Sequence, residues 1–190
     1  MFIYLKNFNK KKIVFDKPGR YVVYFHNVSG EIRFEISAEN VDLYVFGLYS
    51  GKKNKTYSLK TSQIHYVGGS FSQLLVKSIM KDESSFYYDG LIRIEKQATK
   101  THAYQKNMNI LLSEKAHVVS QPYLEILTND VFCTHGSTTG QLDKEMQYYL
   151  QTRGYACEEA KDLLEQGFIN DIIQQINKLE PDNNLHLNNV

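Results

Sequence analysis

Cys133 and His135 are the sharpest chemical pair in the sequence. A thiolate and an imidazole are a soft and a borderline ligand, suited to iron or an iron–sulfur cluster. Both bind only when deprotonated, so binding would depend on pH. Residues two apart on a strand point to one face, so the pair can address one site. Two ligands do not complete an iron site, and a partner chain across an interface would have to supply the rest. The competing reading is structural: free cysteine is among the most buried residue types, and Cys133 would then be a small core hydrophobe.

The other candidates carry less. His102 and His117 fall in strand-like runs with no second ligand at metal spacing, which reads as surface or satisfied histidine. His26, His65 and His186 carry no signal. Cys157 opens a helix, where a thiol is mildly acidified, although a structural role is simpler. Gln105, Asn107 and Asn109 alternate with apolar residues, and side-chain amides stacked on one face would satisfy buried backbone groups. Asp82, Glu83 and Asp89 form no paired-carboxylate motif of a glycoside-cleaving enzyme. Neither a phosphate-binding glycine loop nor a nucleophile elbow is present, so any ATP hydrolysis must come from a partner.

Two kinds of segment must position these residues. The 190-residue chain is 42% hydrophobic and 23% charged, which suits an ordinary globular domain. Its net charge of +1 provides no field for nucleic acid or anionic lipid. The Lys10–Lys12 run reads as a solvated turn. Two cysteines, no signal-peptide core and no long apolar run point to a reducing, cytoplasmic-type compartment and no membrane span. Up to about residue 135, short aromatic and β-branched runs alternate. They are Ile13–Phe15, Tyr21–Phe25, Glu31–Ile36, Val41–Phe46, Gln63–Val67, Phe71–Ile79, Phe86–Lys96, Ala103–Leu112, His117–Ser120, Tyr123–Leu127 and Val131–Cys133. Their spacing allows a sandwich, a barrel or a β-solenoid, with no clean fixed-period repeat to decide among them.

From Leu142 the period becomes helical. Leu142, Met146, Tyr149 and Leu150 form one apolar stripe, closed by Arg153 and Gly154. A second helix carries Ala160, Leu163 and Leu164 and stops at Gly167; a third carries Phe168, Ile169, Ile172, Ile173, Ile176 and Leu179 and stops at Pro181. Helices this short must dock on the β body or on a partner.

Residues 90–168 resemble the C-terminal core of the SufB/SufD family. The resemblance rests on Gln105-x-Asn107-x-Asn109-x-Leu111-Leu112-Ser113, on Pro122-x-Leu124-Glu125-Ile126, and on Cys133-x-His135-Gly136 followed by Tyr148-Tyr149-Leu150-x-x-Arg153-Gly154. It implies a mainly β fold, a right-handed parallel β-helix over 1–140. A helical region over 141–180 would dock a SufC-type ABC ATPase, and 181–190 would be a flexible tail. Leu142, Met146, Tyr149, Leu150, Arg153, Gly154, Leu163, Leu164 and Phe168 would form the ATPase-docking surface. His135 and Cys133 would lie at an interface with a SufB-like chain or a second copy, near a transient Fe–S cluster. The SufB branch has a cysteine where this chain has Asn107 and a glutamate where it has Gly136, so the resemblance is to the SufD branch, shortened at the N-terminus. The expected role is a non-catalytic assembly subunit, cytoplasmic or inside a plastid. A pectin-lyase-like enzyme and a structural homodimer are the alternatives.

Overall fold

A computed structural model describes residues 1–181. The strands are β1 (Phe2–Leu5), β2 (Lys10–Phe15), β3 (Gly19–His26), β4 (Gly30–Ile36), β5 (Val41–Gly51), β6 (Thr56–His65), β7 (Phe71–Met80), β8 (Ser85–Ile94), β9 (Thr101–Leu111), β10 (His117–Ile126) and β11 (Val131–Gly140), followed by α1 (Lys144–Thr152) and α2 (Cys157–Leu179). Odd-numbered strands form one sheet in the order β1-β3-β5-β7-β9-β11, and even-numbered strands the other, β10-β8-β6-β4-β2. Every pairing is parallel. Because the chain changes sheet at each strand and returns beside the strand before last, this is a β-helix and neither a sandwich nor a closed barrel.

The register explains why no fixed period shows in the sequence. Phe2 lies beside Val22 and Gly19 beside Val41, whereas Asp42 lies beside Phe71 and Phe71 beside His102. One turn thus lengthens from about 20 to about 30 residues along the stack. The repeat lives in the backbone: Asn40, Gly69 and Lys100 stack at one corner with φ of 56°, 67° and 58°, joined by Asn40 N–H to Gly69 C=O and Gly69 N–H to Thr99 C=O.

Several strand boundaries differ from the sequence reading. β1 lay outside every expected run, and β6 spans Thr56–His65 instead of Gln63–Val67, its missed first half carrying Tyr57 and Leu59 inward. His117–Ser120 and Tyr123–Leu127 form one strand, with Pro122 tolerated because β10 is an edge strand. Lys10–Lys12 belong to β2, where Lys10 pairs with Glu31 and Lys12 with Glu35 on the outer face.

The lumen between the sheets is packed with Phe25, Phe34, Val45, Val76 and Phe86, and Tyr49 stacks on Phe86 at 4.4 Å between ring centroids. The second and third expected helices are one, because α2 runs through Gly167. A glycine weakens a helix without ending it when both flanks are anchored. Here Ala160 is buried on one side, and Ile172, Ile173 and Ile176 on the other. Those three isoleucines pack on the outer face of the odd-strand sheet against Val22, Tyr24, Phe46, Leu48 and Leu75. At roughly 1.5–3 kcal/mol per buried side chain, this patch fixes the C-terminal half of α2 to the body. The expected tail lies, from residue 182, outside the described residues.

Candidate functional site

The two ends of the solenoid differ. At the first turn the inward side chains are covered: Leu5, Phe8 and Phe15 are buried, and Phe8 sets its ring edge-on to Phe25. At the last turn they are not. Both ends finish in edge strands, β1 and β2 at the first and β11 and β10 at the last, but on β11 the inward His135, Ser137 and Thr139 are exposed.

Cys133 and His135 sit on this last strand. Cys133 lies beside Ala103 and His135 beside Gln105, both inward positions, so the two share a face as the spacing predicts. Their surroundings diverge. Cys133 is half-buried against Ile92, Ile94, Ala98 and Ala103, and this burial pushes its thiol up to about 11. At neutral pH it is a thiol, not a thiolate. His135 is exposed, and beyond it Ser137 donates to Ser120 Oγ at 2.8 Å, linking the two edge strands. Among the described residues no three His, Cys, Asp or Glu side chains converge as a metal site. Among the described residues, the soft or borderline donors that β11 brings to this edge are His135 and, once deprotonated, Cys133.

The amides behind the edge behave as the alternation suggests. Asn107 donates to Val76 C=O at 3.2 Å, and Gln105 to Gly90 C=O at 3.1 Å. Asn109 donates to Asn107 Oδ1 at 2.7 Å and to Thr138 C=O at 3.1 Å, while Ser78 donates to its Oδ1. This ladder ties β7 and β9 to the edge strand β11. His102 lies tilted against the Phe132 ring and His117 against the Tyr87 ring, both as surface histidines. Asp82 accepts from Lys53 N–H, Glu83 pairs with Lys115 and Asp89 with Lys60, so each acid has its own partner.

The second surface is helical. Asp143 caps α1 by accepting from Glu145 and Met146 N–H, so Leu142 lies just outside the helix. Gly154, at φ 97°, turns the chain back. No residue of α1 is buried. Met146, Tyr149 and Leu163 are exposed, Leu142, Leu150 and Leu164 are half-buried, and the Arg153 guanidinium lies 5.1 Å from the Tyr149 ring centre. Tyr148 and Tyr155 belong to this exposed set and fell off the expected stripe; Tyr148 is 68% exposed. Phe168 differs: its ring and carbonyl cover the buried ammonium of Lys77.

Residues 7–168 match the family described as "SUF system FeS cluster assembly, SufBD core domain". The chain is 31% identical over 151 residues to the iron–sulfur cluster assembly protein SufD of Escherichia coli, covering 80% of this chain and 35% of that one. It is 32% identical over 148 residues to SufD of Bacillus subtilis, covering 74% and 34%. It is also 33% identical over 88 residues to a chloroplastic protein of Arabidopsis thaliana, ABCI7, covering 46% and 18%. The chain thus spans about a third of the length of the SufD relatives it matches. The core match over most of the chain, a β-helix with two trailing helices, and these relatives agree: the chain belongs to the SufB/SufD family of the SUF iron–sulfur cluster assembly system, and within it is SufD-like.

Proposed function

We propose that this chain is a non-catalytic assembly subunit of a SUF complex, working through two surfaces. The observation that carries this is the asymmetry of the solenoid in side-chain cover: both ends finish in edge strands, but at the first Leu5, Phe8 and Phe15 are buried, whereas at the last the inward Cys133 is half-buried and His135 exposed on β11. An open parallel edge is a template for another chain. A SufB-like subunit, or a second copy, seats there and completes the ligand set that His135 begins, so a cluster forms transiently between chains. The second surface is the exposed face of Leu142, Met146, Tyr149, Leu150, Arg153, Gly154, Leu163 and Leu164. It receives a SufC-type ABC ATPase, with Phe168 acting from behind by holding α2 to the body. The compartment is cytoplasmic or the interior of a plastid. Among the described residues no helix is long and apolar enough to cross a membrane.

Removing everything after Gln141 would be a poor test, because it would bare the apolar patch under Ile172, Ile173 and Ile176. Point changes separate docking from folding. The full chain should co-purify with the SUF-type ATPase of its own organism, and Met146→Asp or Tyr149→Ala should abolish this while leaving the unfolding midpoint unchanged. If the wild-type chain does not bind the ATPase, the docking role is wrong. His135→Ala should leave folding and complex formation intact and lower cluster assembly. Equal assembly by wild type and variant removes His135 from the site.

A further inference from the structure

The lumen changes character along the stack. Around β3 to β5 it is filled by Phe25, Phe34, Val45 and Tyr49. From β6 onward its inward positions include Thr61, Gln63, His65, Ser72 and Gln105, all buried. Some of these groups are paired: Thr61 with the Tyr88 hydroxyl at 3.1 Å, and His65 Nε2 with Ser72 Oγ at 2.8 Å. Four atoms are not. Both amide atoms of Gln63, His65 Nδ1 and Gln105 Oε1 have no protein partner, on side chains 0%, 0% and 2% exposed. Native interiors almost always satisfy such atoms, because leaving them bare carries the full desolvation penalty.

The four atoms belong to one neighbourhood. Gln63 and His65 are successive inward residues of β6. Thr61, the inward residue before them, lies beside Gly90, whose carbonyl holds the Gln105 amide. We propose that Gln63, His65 and Gln105 enclose a sealed hydration site inside the β-helix, in which one or two ordered waters bridge the three side chains. The chemistry of the lining selects the occupant. The chamber carries no formal charge, since His65 is held neutral by burial, and an ion there would lack a counter-charge. Gln63 offers one donor and one acceptor, Gln105 an acceptor, and His65 Nδ1 either role by tautomer. Water, with two donors and two acceptors, matches this set. At about three bonds per buried water, one or two molecules satisfy four atoms. On the Cys133 side the neighbouring lumen is apolar, packed with Ile92, Ile94, Ala98 and Ala103, and on the other side Gln105, 2% exposed, lies between the site and His135.

The test is nuclear magnetic cross-relaxation between water and the side-chain amide protons of Gln63 and Gln105 in the full chain, together with chemical unfolding of Gln63→Leu. The proposal expects long-lived water signals at both amides. It also expects Gln63→Leu to weaken or remove the Gln105 signal and to lower the folded-to-unfolded ratio by about tenfold, as His65 and Gln105 lose their bridge. Absence of long-lived water at either amide in the wild-type chain overturns it. So does a Gln63→Leu chain as stable as wild type or more so, the result for a dry chamber relieved of an unpaired amide. If Gln63→Leu does not fold, the wild-type water signals decide alone.

Discussion

The contact most exposed to a quantitative test is the one that pins α2. Lys77 points outward from β7, yet is only 3% exposed, because α2 lies over it. Its ammonium donates to Asp171 at 2.5 Å and to Phe168 C=O at 2.9 Å, and lies 4.3 Å from the centre of the Phe168 ring. Burial lowers the Lys77 pKa, and Asp171 works against that fall. Removing one partner of a fully buried ion pair costs about 3–5 kcal/mol, chiefly because the other charge is stranded. The Asp171 side chain is 51% exposed, so water takes up part of its role, which brings the expected cost of Asp171→Ala to about 1–2 kcal/mol. Lys77→Met keeps the stem volume and removes the buried charge, and should cost less than about 1 kcal/mol. The double variant Lys77→Met/Asp171→Ala should therefore be more stable than Asp171→Ala alone. Urea unfolding with unchanged slope measures all three. A cost for Asp171→Ala under about 0.5 kcal/mol, or strict additivity in the double variant, would refute the stranded-charge reasoning.

Further outcomes follow from the same geometry. Gly167→Ala should stabilise by about 0.5–1 kcal/mol in thermal or urea unfolding, because a Cβ there meets nothing within 4 Å and glycine is a poor helix former. His65, lowered by burial to about 4 from 6.5, is neutral in the fold while the unfolded chain takes up a proton. Its contribution is present above pH 6.5 and lost as pH falls toward 4, by up to about 3 kcal/mol, so His65→Gln should flatten the stability–pH curve in that window relative to wild type. Cys133, with its thiol pushed up to about 11, should react with an alkylating reagent far more slowly than exposed Cys157 at neutral pH and accelerate until about pH 11. Equal rates for the two would contradict the packing of Cys133.

How much of this could be read from residues alone depended on which force set each element. The strands with aromatic and β-branched alternation, such as Glu31–Ile36, were legible because burial on one face wrote a period of two into the sequence. β6 was read only at its end: its first half does alternate, with Tyr57 and Leu59 inward, but only two apolar residues stand among polar Thr56, Ser58, Lys60, Thr61 and Ser62, too few to separate a strand from a polar loop. The turns of the solenoid were hidden because left-handed backbone at Asn40, Gly69 and Lys100 is met by three different residue types, and because turn length changes along the stack. The β-helix was therefore reached through family resemblance. Gly167 looked like a stop, but helix ends need a partner for the freed carbonyls, and the isoleucine patch beyond it holds the helix on course. The shared face of Cys133 and His135 followed from their spacing. Their unequal surroundings did not, because only the fold brings Ile92 and Ala98 against one and leaves the other at an open edge.

Backbone hydrogen exchange on the full chain, alone and with a SufB-like subunit of the same organism or with a raised concentration of itself, puts the two-ended solenoid to the most direct test. Association should slow exchange at the amides of His117–Ile126 and Val131–Gly140 and leave Phe2–Leu5 and Lys10–Phe15 unchanged. Protection gained at Phe2–Leu5 and Lys10–Phe15, or association with no change at the two C-terminal edge strands, would contradict it.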